Sequence, residues 1–305
     1  MKLGQKDFLS IDRFTSEELR AILDLAKEQK PLARRHELPH THPNRSLACV
    51  FAKPSLRTRV SFELAMRQLG GSSLFITDKE IGMGTRESVY DVAKVLSRFV
   101  DGIMIRWFDQ AEVDALAAHA TVPVINGLTD LLHPCQVMGD ILTIEEHLGT
   151  IENKTVVMLG DGNNLANSWL NAARRFPFNF VLACPEGYDP DPAIMDAAER
   201  DGASYCIMHD PQAAVAGADV IYSDAFYSMG QEDEAVQRRR DFAPFQITSG
   251  LLAAAGDDHI VLHCLPAHRG EEITDEVMDG PHSAVFDEAE NRLHIQRAII
   301  ALLVP

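Results

Sequence analysis

The stretch SLACVFAKPSLRTRVSFELAMRQLGG, residues 46–71, decides the fold of the first half of the chain. It opens with a short apolar run, Ser46 to Ala52, which predicts a buried strand. Apolar residues at 62, 65, 66 and 69 then recur at helical spacing, and a Gly pair ends the pattern. The sequence therefore predicts a strand that turns directly into a helix at Ser55.

The predicted helix start at Ser55 carries groups that suit an anion. Its first backbone N–H groups lack partners within the helix, and the helix dipole places positive potential there. Ser55 and Thr58 add hydroxyl donors, while Arg57 and Arg59 add guanidinium groups. Two arginines two positions apart lie on different helix faces, so they need different partners. A capped surface helix flanked by arginines remains the alternative interpretation.

Length and charge limit the classes of protein that fit. A chain of 305 residues favours two domains of about 150 residues each. Its formal net charge of −17 repels nucleic acid and anionic membrane surfaces, so the arginine-rich stretch predicts a site for a small anion. No signal segment or membrane-spanning run is evident, and we expect a cytoplasmic protein.

Cysteine usage agrees with that compartment. The five cysteines, an odd number without a C-x-x-C pair, are Cys49, Cys135, Cys184, Cys206 and Cys264. This pattern is typical of a reducing environment, and together with the histidine spacing it gives no sign of a metal site.

The rest of the chain alternates predicted strands and helices, which indicates parallel sheets. Arg106 ends one strand, while His133 and Gln136 flank Pro134 at the start of a helix. Ligands of open α/β sheets gather at the carboxyl ends of strands, so we expect these residues near Ser55. An Arg106 merely exposed beyond its strand, or a His133 that only caps a helix, would be the structural alternative.

The pattern restarts after a boundary near residues 147–153, and further strands are predicted at 155–160, 180–184, 204–208, 219–223 and 260–263. The predicted fold class is α/β, with two doubly wound parallel-sheet domains of similar size joined by helices. We place the domains at residues 1–148 and 149–287, and expect the helix in residues 288–305 to pack back on the first domain.

Gly160 and Gly162 follow a predicted strand, which would also fit a dinucleotide-binding turn. That fingerprint needs a small residue where Leu165 stands, so a nicotinamide-dependent dehydrogenase is disfavoured. The polar side chains of Asp161, Asn163 and Asn164 instead suit an amino-acid zwitterion.

Five separated motifs resemble the aspartate/ornithine carbamoyltransferase family. They are SLRTRVSFE at 55–63, HPCQ at 133–136, GDGNN at 160–164, D-x-x-x-SMG at 224–230 and HCLPA at 263–267. The last three look like the ornithine branch. The resemblance implies transfer of the carbamoyl group of carbamoyl phosphate to L-ornithine, without a metal or organic cofactor, in a homotrimer or a multiple of trimers. Transfer to acetylornithine or putrescine is the nearest alternative.

The resemblance also assigns residues. Carbamoyl phosphate would be bound by Ser55, Leu56, Arg57, Thr58, Arg106, His133, Gln136, Cys264, Leu265 and Arg292. Arg106, His133 and Cys264 would be the catalytic residues, and ornithine would be bound by Asn164, Asp224, Ser228 and Met229. Whether Cys264 accepts the proton of the attacking amine or only orients it stays open. Closure of the two domains is expected to join the two halves of the site.

Two positions depart from the family pattern. Leu56 stands where the family usually has Thr, which removes a hydrogen bond worth about 0.5–1.5 kcal/mol. In the predicted loop 78–86, where many members carry a Gln, Glu80 is the nearest match, and Lys79 or Arg86 would do the corresponding work.

Overall fold

The computed structural model describes residues 3–227 and 234–305. They form two compact units, and the first, unit 1, consists of Met1–Gly139 with Glu290–Pro305. The second, unit 2, consists of Asp140–Ala289. None of the helices in the described ranges is long and apolar enough to cross a membrane.

Unit 1 is built on a four-stranded parallel sheet in the order β2-β1-β3-β4. Its strands are β1 (Ser46–Phe51), β2 (Ser72–Thr77), β3 (Gly102–Arg106) and β4 (Val124–Leu128). Its helices are α1 (Ser16–Arg34), α2 (Leu56–Gln68), α3 (Asp78–Ile81), α4 (Val89–Phe99), α5 (Gln110–His119) and the first part of α6 (Pro134–Leu148), with a 3-10 turn at Ile11–Arg13. β1, β3 and β4 are almost wholly buried, as expected for parallel strands covered on both faces.

Unit 2 is built on a five-stranded parallel sheet in the order β7-β6-β5-β8-β9. Its strands are β5 (Thr155–Leu159), β6 (Asn179–Ala183), β7 (Tyr205–Met208), β8 (Val220–Ser223) and β9 (Ile260–His263). Its helices are α7 (Asn164–Ala173), α8 (Pro192–Arg200), α9 (Pro211–Ala214), α10 (Ala235–Phe242), α11 (Ser249–Leu252), α12 (Asp275–Met278) and the start of α13 (Val285–Leu303), with a 3-10 turn at Ala243–Phe245. The α/β fold class with two parallel sheets is confirmed.

Side-chain hydrogen bonds cap two helices of unit 1, and the second of these helices was not predicted. Thr15 caps α1, because the Thr15 hydroxyl accepts from the Glu18 N–H while the Glu18 carboxylate accepts from the Thr15 N–H. The predicted loop 78–86 begins with the short helix α3, in which the Glu80 carboxylate accepts two hydrogen bonds from Thr77. Glu80 is thus occupied in capping its own helix.

The C-terminal residues of α13 belong to unit 1 and bury several charged groups there. The Arg297 guanidinium donates to Gln29 Oε1 at 3.0 Å and to Gln68 Oε1 at 2.6 Å. Arg297 also donates to His294 Nδ1, so the imidazole proton is on Nε2, which faces Glu290 Oε1 at 2.9 Å. Desolvation lowers the pKa of His294 to about 4.

This pKa predicts how stability depends on pH. Between pH 6.5 and 4 the unfolded chain binds a proton at His294 that the folded chain does not, so stability falls as the pH drops through this window. We expect His294 to contribute up to about 3 kcal/mol to that loss. Urea unfolding at pH 7 and pH 4.5 measures it, with His294→Gln expected to flatten the dependence and the exposed His36→Gln to leave it unchanged. Equal pH dependence in all three proteins would contradict this assignment.

Candidate active site

Both sheets reverse their strand order beside their first strand. In unit 1 the chain passes from β1 to β2 and then returns to place β3 on the other side of β1. In unit 2 it passes from β5 through β6 to β7 and then places β8 on the other side of β5. The crevice outside such a switch point is the usual ligand site of an open α/β sheet. The polar motifs of the sequence follow these strands.

In unit 1 the hydroxyl of Thr58 is the centre of the first cluster. Thr58 is fully buried, and its Oγ1 accepts from the Ser55 hydroxyl at 3.0 Å. It also accepts from Arg292 at 2.6 Å and from Arg106 at 3.5 Å. Two guanidinium groups directed at one neutral oxygen repel each other, and an anion bound there would offset that repulsion. The cluster sits at the start of α2, where Ser55 is the N-cap.

A bulge positions Arg106. The pairing between β3 and β4 shifts between Ile105 and Arg106, so that Arg106 pairs with Leu128 and Gly127 is passed over. A Cβ at Gly127 would lie 2.7 Å from Met104 Sδ, so this close approach requires glycine. Arg106 is buried and lies at the carboxyl end of its strand, as the sequence predicts.

His133 and Gln136 lie at the start of α6 and are buried. Desolvation, followed by the positive charges of Arg292 and Arg106, holds the pKa of His133 well below its usual value. The imidazole is therefore neutral at neutral pH. It can exchange hydrogen bonds with a polar ligand without adding a third positive charge.

The two arginines of the opening motif have different partners. The Arg59 guanidinium donates to Glu63 Oε1 at 3.0 Å and lies over the Phe75 ring at 3.9 Å from the centroid. Arg57 Nε is buried and has no hydrogen-bond partner within the described residues. Leu56, the first residue of α2, is 75% exposed. Arg57 is thus the arginine of this pair that remains available to a ligand.

In unit 2 the carboxylate of Asp224 is the centre of the second cluster. Asp224 follows β8, and its Oδ1 accepts from the Cys264 thiol at 2.9 Å and from the Ala225 N–H at 2.8 Å. Its Oδ2 accepts from the Asn163 side-chain amide at 3.0 Å. Asn163 also caps α7, whose first residue is Asn164. The residues after β5, β8 and β9 thus meet at one edge of the sheet.

Burial and the neighbouring carboxylate of Asp224 raise the pKa of the Cys264 thiol well above its usual value. At neutral pH Cys264 is therefore a thiol that donates a hydrogen bond, and it is a poor proton acceptor. The next residue, Leu265, has φ 59° and donates its N–H to His263 Nδ1 at 2.9 Å. His263 Nε2 in turn faces Glu272 Oε1 at 3.1 Å, which fixes the imidazole proton on Nε2.

Comparison with known proteins decides the family. Residues 6–146 match the domain described as "Aspartate/ornithine carbamoyltransferase, carbamoyl-P binding domain", and residues 152–303 match the "Asp/Orn binding domain" of the same description. The chain belongs to the aspartate/ornithine carbamoyltransferase family. A relative from Syntrophus aciditrophicus, named ornithine carbamoyltransferase, is 49% identical over 301 residues, covering 98% of this chain and all of the relative.

Solved structures of ornithine carbamoyltransferases resemble this family member closely. The structure from Pyrococcus furiosus aligns with a TM-score of 0.96 at 46% identity, covering all of this chain and 98% of the other. The structure from Thermus thermophilus aligns with a TM-score of 0.89 at 42% identity, covering 99% of each chain.

Two predicted site residues of this carbamoyltransferase are not described by the structure, and one further residue was missed by sequence reasoning. Ser228 and Met229, predicted to bind ornithine, lie outside the described residues. Arg238 was not predicted, yet it donates to Asp161 Oδ2 at 2.8 Å, to Glu234 Oε2 at 2.9 Å and to the Phe226 carbonyl at 3.3 Å. It therefore ties both flanks of the segment 228–233 to the loop after β5.

The Gly160–Gly162 turn of this family member allows two loops of unit 2 to pack closely. A Cβ at Gly162 would lie 2.2 Å from the backbone carbon of Asp189, so the glycine lets two loops approach closely. The Gly162 N–H donates to the Tyr188 carbonyl at 2.8 Å. This occupation of the turn by protein backbone argues against a nicotinamide cofactor there, as the Leu165 position already predicts.

Proposed function

We propose that this chain transfers the carbamoyl group of carbamoyl phosphate to the δ-amine of L-ornithine, giving L-citrulline and phosphate. The observation that carries the proposal is that relatives named ornithine carbamoyltransferase match the chain over nearly its whole length. The two clusters supply the chemistry that this reaction requires.

We assign the phosphate of carbamoyl phosphate to the start of α2. Backbone N–H groups of the first turn, the hydroxyls of Ser55 and Thr58, and the Arg57 guanidinium are suitable donors for a dianion. The backbone N–H of Leu56 belongs to this set. The exposed Leu56 side chain stands where the family usually has the hydroxyl of a Thr. Arg292 and Arg106 add positive charge at Thr58 Oγ1.

The carbamoyl end is assigned to Arg106, His133 and Gln136. Attack by the amine turns the carbonyl oxygen into an oxyanion. Preorganised donors directed at this oxygen stabilise the transition state. Arg106 is buried and held by the bulge between β3 and β4, so it needs little reorganisation to stabilise this oxyanion. The tetrahedral intermediate then breaks its C–O bond to phosphate, and the nitrogen loses a proton.

The amino acid is assigned to unit 2. Asp224 offers a carboxylate to the α-ammonium group of ornithine. Ser228 is assigned to the same group, and Asn164 and the Met229 backbone are assigned to the α-carboxylate. Because Cys264 is a protonated thiol that donates to Asp224, we assign it to orienting ornithine and not to accepting the proton. A phosphate oxygen of carbamoyl phosphate is then the remaining acceptor. We assign the backbone at Leu265 to the carbamoyl nitrogen.

We further propose a homotrimer, or a multiple of trimers, that works in the cytoplasm without a catalytic cofactor. Unit 1 exposes several large apolar side chains that an interface would cover, namely Leu56, Val60, Leu74 and Phe99. All five cysteines are free thiols, as in proteins of a reducing compartment. Light scattering of the purified protein measures the assembly.

A panel of amines tests the assigned substrate. Purified protein with carbamoyl phosphate is assayed against L-ornithine, N-acetylornithine, putrescine and L-aspartate, with the carbamoylated product identified by mass spectrometry. We expect L-ornithine to have the highest kcat/KM, because only it carries both the α-ammonium and α-carboxylate groups together with a δ-amine. A higher kcat/KM with putrescine or acetylornithine would overturn the assignment of Asp224 and Asn164.

Arg238 should affect the KM for ornithine without contacting the substrate. Its ion pair with Asp161 is largely buried, and it anchors both flanks of the segment that contains Ser228 and Met229. We expect Arg238→Gln to raise the KM for ornithine about tenfold or more, with the KM for carbamoyl phosphate unchanged. Arg240→Gln, two positions further on the same helix, is the matched control. An equal rise in both KM values would contradict a local positioning role.

A further inference from the structure

We propose that His268, Glu271 and Glu272 form a binding site for a divalent cation of the zinc class. The three residues lie on the turn after β9 in unit 2. One potential ligand atom of each lies within 4.8 Å of those of the other two. An imidazole and two carboxylates are an ordinary zinc donor set, which leaves the fourth tetrahedral position to water.

The Glu272 carboxylate is the first reason to expect a ligand here. Its side chain is 0% exposed. One oxygen, Oε1, accepts from His263 Nε2 at 3.1 Å and from the His268 N–H at 2.5 Å. The other oxygen, Oε2, is buried and has no hydrogen-bond partner within residues 3–227 and 234–305. A buried carboxylate oxygen without a donor is costly, and a cation at that oxygen would remove the cost.

The atom that faces this oxygen is the second reason. His268 Nδ1 lies 3.8 Å from Glu272 Oε2, and it too is buried without a hydrogen-bond partner in the described part of the chain. The separation is too long for a hydrogen bond. A zinc ion about 2.1 Å from each atom would bridge them at a wide angle, without a large movement of either side chain.

Neighbouring groups hold the three residues in place. The Tyr227 ring stacks on the His268 ring at a centroid distance of 5.2 Å and an interplanar angle of 20°. The Arg239 guanidinium lies 3.0 Å from Glu271 Oε2 and donates to the Tyr227 hydroxyl at 2.7 Å. Arg239 orients the Glu271 carboxylate, and with a bound dication the two carboxylates and this guanidinium would carry a net charge of +1.

The proposed site is separate from the Cys264 thiol. Cys264 donates to Asp224 and is held protonated, whereas a zinc-bound cysteine is a thiolate. The proposed donors are therefore nitrogen and oxygen only. This difference gives the site a spectroscopic signature with cobalt, since thiolate ligands add a charge-transfer band in the near ultraviolet and imidazole and carboxylate ligands do not.

Zinc binding is measured on the full chain carrying Cys206→Ser, because the exposed Cys206 thiol could bind zinc by itself. The protein is stripped with a chelator and titrated with zinc chloride by calorimetry. We expect one zinc ion per chain, at least tenfold weaker binding in His268→Ala and in Glu271→Gln, and a cobalt spectrum without the thiolate band. Circular dichroism verifies that both variants fold.

His36→Ala and Glu37→Gln are matched controls on an exposed loop of unit 1, and both should bind zinc as the parent does. Absence of zinc binding in the Cys206→Ser protein would overturn the proposal. Unchanged affinity in His268→Ala would do so as well. A thiolate band that disappears in Cys264→Ser would assign the metal to the thiol and also refute the proposed site.

Discussion

An Arg57→Ala variant is expected to lose about a hundredfold to a thousandfold in kcat/KM for carbamoyl phosphate while remaining folded. Arg57 lies in the first turn of α2 beside the N-cap Ser55, and its buried Nε has no hydrogen-bond partner in the described ranges. Removal of one preorganised donor to the charge of a transition state costs about 2.7–4 kcal/mol. Since this guanidinium forms no hydrogen bond or ion pair with residues 3–227 and 234–305, its loss should leave stability nearly unchanged.

Arg59→Ala is the matched control, two positions further along the same helix. Its guanidinium pairs with Glu63 and lies over Phe75, so it has partners within the fold. Exposed pairs of this kind contribute about 0–1 kcal/mol to stability, and we expect kcat/KM to remain within a few-fold of the parent value. Similar kinetic losses in both variants would show that the phosphate has been assigned to the wrong arginine.

An Asp224→Asn variant is expected to raise the KM for ornithine about a hundredfold or more, with the affinity for carbamoyl phosphate retained. The substitution preserves shape but removes the charge that would pair with the α-ammonium group. Loss of one partner from a desolvated ion pair costs about 3–5 kcal/mol. Steady-state kinetics with each substrate varied in turn, and calorimetric titration with carbamoyl phosphate alone, separate the two effects.

Asp201→Asn is the control for a carboxylate in the same unit. Asp201 pairs with Arg174 at the surface, at 2.8 Å, and should contribute nothing to either KM. Should Asp224→Asn leave the KM for ornithine near the parent value, the amino acid would have to bind elsewhere than at the cluster of Asp224, Asn163 and Cys264.

The elements that could be predicted from sequence are those fixed by local pattern. Ser55 was predicted at the strand-to-helix turn because the apolar spacing changes there, and it is the N-cap. Arg106 was predicted at a strand end, and the carboxyl ends of β1 and β3 lie side by side because Phe51 pairs with Arg106. The same rule brings Asp224 and Cys264 together in unit 2, because β8 and β9 are neighbours.

Contacts between residues far apart in sequence were not predictable from local pattern. Arg292 reaches Thr58 across 234 positions, and only its resemblance to a family residue indicated a role. Arg238 stands in a run of three arginines, which usually indicates a solvated helix face. Its ion pair with Asp161 depends on how the helix after the segment 228–233 packs on the loop after β5. Periodicity carries no information about such packing.

The chemistry of Cys264 also required the structure. A cysteine beside a histidine in sequence suggests an activated thiolate, and sequence left its role open. The structure places the thiol against the Asp224 carboxylate, which raises its pKa, while His263 points to Leu265 and Glu272. Of the two roles left open, the proposed mechanism therefore gives Cys264 that of a hydrogen-bond donor that orients the amine.

The central claim is carbamoyl transfer to an amine, and the most direct test measures both products in one reaction. Purified protein is mixed with carbamoyl phosphate and L-ornithine at pH 8, and citrulline and phosphate are quantified in the same samples over time. We predict equal amounts of the two products, with phosphate release falling to the uncatalysed rate when ornithine is omitted. Enzyme-dependent phosphate release without citrulline would contradict the account, because it would mean that the chain hydrolyses carbamoyl phosphate and does not transfer its carbamoyl group.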